Sequence, residues 1–256
     1  MDKRIVILAV DCDASNILIN GLQNEYPLAA IIYEQPISKK ILIKNRIKKL
    51  GLLQTIGQLL FIASIPKVLK VSSAKRIKEI LLQNELDNSP IKEKDRIQVS
   101  SVNSNECIAL LQSIQPDIII LSGTRIISQN ILNSVDADFI NIHAGITPLY
   151  RGVHGAYWAL AEGKASLCGV TLHYVDKGID TGKVIAQTII KPLKKDNFIT
   201  YGFLQTAAGI KLLKEKLPSL LQKKVEPALP LTNQSKLRYH PTLFGYIKNY
   251  LTKGIK

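Results

Sequence analysis

Three polar side chains in the middle of the chain are of the types that proton transfer around a carbonyl carbon needs. Asn141 and His143 are separated by one residue in the apolar segment 138–143, and Asp180 follows in the glycine-containing loop 174–182. Because side chains alternate along a strand, Asn141 and His143 are expected to point to the same side. An amide donor, a proton-carrying imidazole and a carboxylate are the groups that acyl transfer to an amine requires.

Each of these residues also has an ordinary structural interpretation when it is taken alone. His143 could cap a strand end by bonding a nearby carbonyl, and Asn141 could be a turn residue. A carboxylate that approaches an imidazole can hold a proton or a water in position. The presence of Asp180 in the downstream loop therefore favours the catalytic interpretation of the pair.

The elements that must position these residues are predicted to form an α/β fold. Short, continuous apolar runs are typical of buried parallel strands, and segments with helical period lie between them. Such alternation predicts a mostly parallel sheet, whose ligands bind beyond the carboxyl ends of the strands. Gly145 and Pro148 mark a turn directly after His143, which puts the polar pair at that edge. The predicted strands are 5–10, 28–33, 118–121 and 139–142.

The pattern changes after Tyr150. Segments 170–174 and 184–190 predict an antiparallel pair beside the main sheet. A long helix is predicted over 201–221, with Pro218 expected to kink or end it. The tail from Glu226 is predicted to be a strap over the surface. We therefore predict one catalytic domain, 1–200, with a short C-terminal extension, 201–256, whose helix and tail pack on the same domain.

Segment 39–70 mixes Lys and Arg with many Ile and Leu residues. It could form an amphipathic helix pair on a membrane surface, but helices packed on the sheet with a basic outer face are the favoured interpretation. The longest apolar stretch, 50–71, is not predicted to cross a membrane, because polar residues and a proline interrupt it. The interrupting residues are Gln54, Gln58, Pro66, Lys67 and Lys70.

Composition sets the class of protein. The 256 residues allow one generous domain, and a 46% hydrophobic share supports a real core. The net charge of +14 raises the question of an anionic partner, which could be nucleic acid, nucleotide, phosphate or anionic lipid, but much of the excess charge can serve solubility alone. Three cysteines are too few and too unpatterned for a disulfide framework or a zinc site. The N-terminal apolar run is too short for a signal peptide, so a cytoplasmic location is expected.

Three motifs in order resemble the folate-dependent formyltransferases. They are Asn141-x-His143, the segment 147–152 and the segment 169–182. That superfamily includes glycinamide ribonucleotide, methionyl-tRNA and sugar-nucleotide N-formyltransferases, and the likeness is specific over 118–190. It implies a Rossmann-like domain with helices on both faces of its sheet. It also implies a one-carbon transferase that moves a formyl group from 10-formyltetrahydrofolate to a primary amine and needs no metal.

The resemblance assigns roles to the residues. Asn141 would donate a hydrogen bond to the oxyanion, His143 would stabilise the oxyanion and move protons, and Asp180 would orient His143 or a water. The pterin would lie between the turn 121–126 and the loop 175–180. The residues expected to bind this formyl donor are Gly123, Thr124, Arg125, Ile126, Val175 and Asp176.

Residues near the turn after the polar pair are candidates for binding the acceptor. Arg151 and Gly152 are expected to bind it, with Arg151 on a phosphate; a salt bridge to the sheet edge is the alternative for Arg151. His154 is interpreted as a loop or packing residue, and His173 as a solvent-exposed position on a strand. Tyr157 and Trp158 are interpreted as core or lid residues, in an apparent helix over 156–162.

The predicted acceptor is a small molecule, an amino sugar on a nucleotide carrier. Glycinamide ribonucleotide is the first alternative, but the loop 11–16 has two carboxylates and no glycine, which makes a poor phosphate cradle. Methionyl-tRNA is the second, and the 66 residues after Ile190 are short for a linker plus a barrel domain. Nucleic acid is therefore not an expected partner.

The sequence also allows two functions that involve no catalysis. One is a folate-fold binding protein that has lost turnover, and the other is a basic protein that binds a membrane surface through segment 39–70. Peripheral membrane contact and a homodimer stay open as additional partners.

Overall fold

The computed structural model describes residues 3–256 and has a seven-stranded sheet at its centre. The strand order is β3-β2-β1-β4-β5-β7-β8, in which β1 to β5 run parallel and β7 and β8 are antiparallel to their neighbours. The prediction of an α/β fold with a mostly parallel sheet is confirmed. The strands are β1 Ile5–Ala9, β2 Leu28–Glu34, β3 Ile97–Val99, β4 Ile118–Ser122, β5 Asp138–His143, β6 Arg151–Gly152, β7 Gly169–Tyr174, β8 Val184–Ile189 and β9 Leu237–Arg238.

Helices cover both faces of this sheet, because the apolar side chains of its central strands point both ways. In β1, Ile5 and Ile7 pack with helices α1 and α8, whereas Val6 and Leu8 pack on the other face with α5. All four side chains are at most 1% exposed. The helices are α1 Asp13–Gln23, α2 Lys39–Leu50, α3 Leu52–Ser72, α4 Ala74–Gln83, α5 Asn105–Ile114, α6 Gln129–Leu132, α7 Gly155–Ala161, α8 Phe198–Leu221 and α9 Leu243–Lys253, with short 3-10 turns at Glu93–Asp95 and Ala165–Leu167.

Strand pairing decides which residues meet at the carboxyl edge. Asn141 of β5 lies beside Leu121 of β4, so the turn that follows β4 adjoins the end of β5. The antiparallel strand β7 places His173 opposite Asn141 and Thr171 opposite His143. Side chains from three strands therefore converge at one place.

Helix α8 is longer than the sequence predicts. It begins at Phe198, where Asn197 and Thr200 form a capping box, and it continues past Pro218 to Leu221. Of the two effects expected of Pro218, a kink or an end, the structure excludes the end, and the helix stops at Leu221 as the sequence predicts. Pro218 lies in the last turn, and Leu217 and Leu220 are at most 1% exposed, so their burial in the core holds the turn in place.

The favoured interpretation of segment 39–70, helices packed on the sheet, is wrong. None of the residues of α2 is buried, and α3 packs on α8 and α9, one layer outside the sheet. The contact is made by one face of α3, where Phe61 packs edge-on to Phe198, with ring centroids 4.9 Å apart. The sequence pattern does not separate these arrangements, because both bury only one side of an apolar helix.

The residues that follow α8 return across the domain. The amide of Ala228 donates to the carbonyl of Val184 at 2.8 Å, and β9 then pairs in parallel with the two-residue strand β6. We call residues 223–241 the C-terminal strap. It ends at helix α9, which packs beside α3.

Candidate active site

His143 emerges from the end of β5 with its two ring nitrogens in different surroundings. Its Nε2 lies 2.6 Å from the carbonyl oxygen of Tyr150, and its Nδ1 lies 3.4 Å from Oδ2 of Asp180. A carbonyl can only accept, so Nε2 carries a hydrogen and Nδ1 faces the carboxylate. His143 Nδ1 and Asp180 Oδ2 can therefore share one exchangeable proton, in a site where His143 is only 5% exposed.

Asn141 lies on the same side of β5, as the alternation predicts. Its Nδ2 is 3.2 Å from Nε2 of His173 and 3.5 Å from Oδ1 of Asp180. The second contact is at the limit of hydrogen-bond length and is therefore the weaker of the two. That amide hydrogen is the one most easily given to an incoming oxygen.

His173 is the site residue that the sequence interpretation missed. A solvent-exposed position was expected, but the side chain is buried beside Asn141 and lies 3.8 Å from Asp180 Oδ1. Its Nδ1 donates to the carbonyl of Tyr174 at 2.7 Å, so Nε2 is left to accept from Asn141. Burial lowers the pKa of His173, which favours this neutral form. The alternation in 170–174 could have indicated a shared face, but the pairing register with β5 could not be read from it.

Asp180 is held by the backbone of the neighbouring strand pair. The amide of Gly152 donates to Asp180 Oδ2 at 2.8 Å, and Asp180 itself has a left-handed backbone with φ of 51°. Gly152 has φ of 93°, and a Cβ at this position would lie 2.2 Å from the carbonyl oxygen of Arg238. The carboxylate position therefore depends on the close approach of β6 and β9.

Gly145 keeps the space beside His143 open. A Cβ at this position would lie 2.8 Å from His143 Nε2 and 2.5 Å from the carbonyl oxygen of Tyr150. Both atoms belong to the hydrogen bond that fixes the imidazole. Only glycine fits between them.

The three predicted catalytic residues line one cavity of about 370 Å³. All the residues expected to bind the formyl donor also line it, as does Gly152. The volume is in the range of small-molecule sites. The wall formed by the β4 turn consists of Gly123, Thr124, Arg125 and Ile126, and the opposite wall includes Val175 and Asp176.

Two of the charged lining residues are occupied by contacts within the protein. The backbone amide of Arg125 donates to Glu34 Oε1 at 2.7 Å, its Nε bonds Oε2 of the same buried carboxylate, and its NH2 donates to the carbonyl of Gln35 at 2.9 Å. Asp176 Oδ1 accepts from the amide of Gly178 and the hydroxyl of Thr181. Both side chains shape the loops that carry them.

Arg151 lies behind the cavity wall and is not one of its lining residues. Its guanidinium donates to the carbonyl of Ile179 at 3.2 Å, which ties the loop of Asp180 to β6. His154 is half-buried, with Nε2 2.9 Å from His240 Nδ1, in agreement with a packing role. Tyr157 is a core residue at 1% exposure.

The loop after β1 carries Asp11 and Asp13 at the start of α1. Asp11 forms a salt bridge with Arg96 at 2.9 Å, and Asp13 lies 3.5 Å from Lys70. Carboxylates at a helix N-terminus repel a phosphate from the place that would otherwise attract one. Across residues 3–256, no cluster of three His, Cys, Asp or Glu side chains is arranged to hold a metal ion.

The fold and these contacts define an α/β protein with an acid–base cluster at the carboxyl edge of its sheet. A sequence model described as formyl transferase matches residues 63–202, more than half of the chain. The chain belongs to the formyl transferase family.

Curated relatives match about half of this chain. The methionyl-tRNA formyltransferase of Koribacter versatilis is 34% identical over 134 residues, which are 52% of this chain and 41% of that protein. The bifunctional polymyxin resistance protein ArnA of Wigglesworthia glossinidia brevipalpis is 32% identical over 126 residues, 49% of this chain and 19% of that protein. The matched region thus spans less than half the length of these relatives.

Solved structures share the fold over most of the chain. A sugar N-formyltransferase from Shewanella sp. FDAARGOS_354 has a TM-score of 0.56 at 16% identity, covering 92% of this chain and 76% of that one. The phosphoribosylglycinamide formyltransferase of Anaplasma phagocytophilum has a TM-score of 0.58 at 15% identity, covering 93% and 98%. An N-formyltransferase of Helicobacter canadensis, in complex with folinic acid and dTDP-3-aminofucose, has a TM-score of 0.57 at 17% identity, covering 93% and 71%.

Proposed function

We propose that this protein transfers the formyl group of 10-formyltetrahydrofolate to the primary amine of a small molecule, an amino sugar carried on a nucleotide. The observation that carries the proposal is the contact cluster of Asn141, His143 and Asp180 in the wall of a cavity of about 370 Å³. Family membership supports the reaction class.

The cavity has features that fit a flat reduced pterin. Gly123 has φ of 72°, which lets the β4 turn bring its backbone into the cavity wall. Leu121, Ile126 and Val175 supply apolar surface around that turn. Polar backbone and apolar side chains in one narrow wall are what a heterocycle with hydrogen-bonding edges requires.

When bound, 10-formyltetrahydrofolate supplies a formyl carbon attached to a nitrogen, N10, that can leave. In the transfer, the amine nitrogen bonds to this carbon, the carbon–N10 bond breaks, the amine loses a proton and N10 gains one. Asn141 donates to the formyl oxygen as negative charge develops there, and one such donor is worth about 3–4 kcal/mol. Asp180, whose Oδ2 faces His143 Nδ1 at 3.4 Å, would receive the proton that the amine loses, and that proton would then pass to N10, so that both side chains end as they began.

The choice of acceptor rests on the surroundings of the cavity. Asp11 and Asp13 at the end of β1 argue against a phosphate subsite there, which disfavours glycinamide ribonucleotide. Residues 223–256 pack on the catalytic domain through the β6–β9 pair and the α3–α9 contact. A small acceptor that enters the open side of the cavity is compatible with this arrangement.

Methionyl-tRNA is the second candidate acceptor. Two observations favour it: a relative named methionyl-tRNA formyltransferase is 34% identical over 134 residues, 52% of this chain, and the net charge of +14 would attract nucleic acid. A tRNA acceptor predicts product formation that falls steeply with salt, because counterions are released on binding. A nucleotide sugar carries few charges and predicts a much weaker salt dependence.

The test is an acceptor screen with radiolabelled 10-formyltetrahydrofolate and the full chain. Nucleotide-linked amino sugars, methionyl-tRNA and glycinamide ribonucleotide are offered separately, and label in each product is counted. Formylated amino sugar, made by the parent protein and not by a His143→Ala variant, is the expected result. Label in methionyl-tRNA alone would show that tRNA, not an amino sugar, is the acceptor. Label in no amine, while the protein still binds folate, would show that the protein binds the donor without catalysing transfer.

A further inference from the structure

A basic, acid-free helix pair lies on the outside of the molecule. Six of the twelve residues of α2 are Lys or Arg, and no Asp or Glu occurs between Glu34 and Glu79. Many surface helices carry both charges, which makes them neutral towards partners. This pair has a single sign over its whole length, so its field selects an anionic partner.

The solvent side of α3 is apolar. Its outward stripe carries Leu53, Ile56, Leu60 and Val71, and their side chains are 86, 44, 47 and 80% exposed. The spacing of three, four and seven or more residues puts them on one side of the helix. The exposed Lys67 and Lys70 interrupt this row near the end of the helix, but a row of exposed aliphatic side chains is typical of a surface that meets protein or lipid. Here only the opposite side has protein against it.

The apolar surface continues onto α9. A groove of about 410 Å³ runs between the two helices and is lined by Val68 of α3 and by Ile247 and Tyr250 of α9. On α9, Phe244 and Leu251 are each 75% exposed. No Asp or Glu follows Glu226 in the sequence, so this side of the patch is also free of acids. We call α2, α3 and α9 together the basic apolar face.

The anchored side of α3 determines how the face could meet lipid. Within residues 3–256, α3 is the helix long and apolar enough to cross a membrane by length and composition, but 22% of its apolar window is buried in the protein. Phe61 and Gln58 are fully buried, and Gln58 donates to the carbonyl of His240 at 2.8 Å. If α3 spanned the membrane, these contacts with the rest of the protein would be broken. An orientation parallel to the surface keeps them and buries the outer stripe.

We propose that the basic apolar face docks on an anionic lipid bilayer, with the outer stripe of α3 in the acyl boundary and the lysines of α2 among the headgroups. Aliphatic side chains of this kind insert about 5–10 Å into such a boundary, and clustered lysines bind anionic headgroups. Two copies of the chain would place like charges against each other, which disfavours self-association through this face. The outer stripe of α3 is aliphatic and carries none of the aromatic side chains on which single-stranded nucleic acid stacks, which favours lipid as its partner.

The test is co-sedimentation of the full chain with vesicles in the absence of substrates, so its result is separate from the proposed reaction. The vesicles are phosphatidylcholine alone or phosphatidylcholine with about one third phosphatidylglycerol, at about 0.1 M salt. Binding to the anionic vesicles only is expected. Equal binding to both vesicles, or none to either, overturns the proposal.

Two sets of substitutions separate the apolar and basic contributions. Leu53→Gln with Val71→Gln should weaken vesicle binding by about tenfold or more, because two exposed aliphatic side chains no longer enter lipid. Lys40→Gln, Lys44→Gln and Lys48→Gln together should weaken it by about fivefold for each lysine removed. These three lysines form no ion pair with the residues that the structure describes, so the fold is expected to tolerate the change.

Matched controls carry the same chemistry elsewhere. Leu229→Gln removes a 93% exposed leucine of the C-terminal strap, and Lys92→Gln, Lys94→Gln and Lys224→Gln remove three exposed lysines outside the face. The controls should bind vesicles like the parent, and all variants should unfold thermally like the parent. Unchanged vesicle binding by the Leu53/Val71 variant overturns the proposal. The proposal is also overturned if the parent does not bind vesicles but forms a dimer or a tRNA complex that the Leu53/Val71 variant does not form.

Discussion

At the scale of single residues, the approach of His143 Nδ1 to Asp180 Oδ2, 3.4 Å apart, is the central feature of the site. The carbonyl of Tyr150 fixes the hydrogen of His143 on Nε2, which leaves Nδ1 towards the carboxylate. Gly152 holds the other side of the same carboxylate oxygen. The chemistry proposed above depends on these two fixed partners as much as on the two titratable groups.

His143→Ala and Asp180→Asn should each lower kcat for formyl transfer by at least about a hundredfold, because acid–base groups contribute roughly 10²–10⁴-fold. The measurement is initial rate with saturating donor and acceptor. Asp95→Asn, an exposed carboxylate in the Glu93–Asp95 turn, is the matched control and should keep the parent rate. Near-parent rates in both site variants would show that the roles are misassigned.

His173 should act as a positioning residue through its neutral Nε2, which accepts from Asn141. Burial lowers its pKa below the usual 6.5, so the accepting form persists through neutral pH and is lost only in more acidic solution. His173→Gln offers an amide oxygen that does not titrate there. In a plot of kcat against pH, the parent should lose activity on the acid side, and we expect this variant to lose less. An identical loss in both proteins would show that a group other than His173 causes it.

At the scale of elements, the C-terminal strap supports the site from outside. Arg238 of β9 is 8% exposed and bonds Glu162, which also accepts from the hydroxyl of Tyr150 at 3.1 Å. Its guanidinium lies 5.4 Å from the centre of the Tyr150 ring and 5.6 Å from that of Trp158. The carbonyl of Tyr150 also orients His143. The strap is therefore linked to the imidazole of His143 through a single residue, Tyr150, which Arg238 contacts.

Arg238→Met should lower the free energy of unfolding by about 1.5–3 kcal/mol, because the buried guanidinium loses its charged hydrogen bond to Glu162. At temperatures where the variant is folded, kcat should fall more than the KM for the acceptor rises. Lys236→Met, an exposed strap position two residues earlier, is the control. A stability loss with unchanged kcat would limit Arg238 to a structural role.

At the scale of the whole molecule, a half-buried histidine pair, His154 and His240, joins the strap to the catalytic domain. Burial lowers the pKa of His154 to about 3 and that of His240 to about 4. Both groups are neutral in the folded protein and bind protons on unfolding below their usual pKa of 6.5. Their contribution to stability is therefore complete above pH 6.5 and is lost as the pH falls from there towards 4.

This effect is measured by chemical denaturation at about pH 7, 5.5 and 4, values that run from just above the usual pKa of histidine to well below it. We expect the parent to lose stability steeply over this range, and His240→Gln to lose on the order of 2 kcal/mol less of it. A control variant, Lys236→Met, should follow the parent. Equal slopes in the parent and His240→Gln would remove the histidine pair as the cause.

Much of the architecture could be predicted because it follows from local patterns. Short continuous apolar runs are typical of strands buried on both faces, and the period-two alternation puts Asn141 and His143 on one side of β5. The order of the motifs was sufficient to indicate the family. The predicted end of the long helix at Leu221 agrees with the structure, whereas its start lies three residues earlier than predicted, where Asn197 and Thr200 form a capping box.

What the sequence by itself determined about this protein is its alternation of strands and helices, its formyltransferase motifs and its unbalanced positive charge, since each of these is a property of neighbouring residues or of composition. Only the tertiary structure decided that His173 enters the site, that Arg151 lies behind its wall and that α3 leaves an apolar side in solvent. Those outcomes depend on strand register and on which helix packs where. Both are set by contacts between residues far apart in the chain.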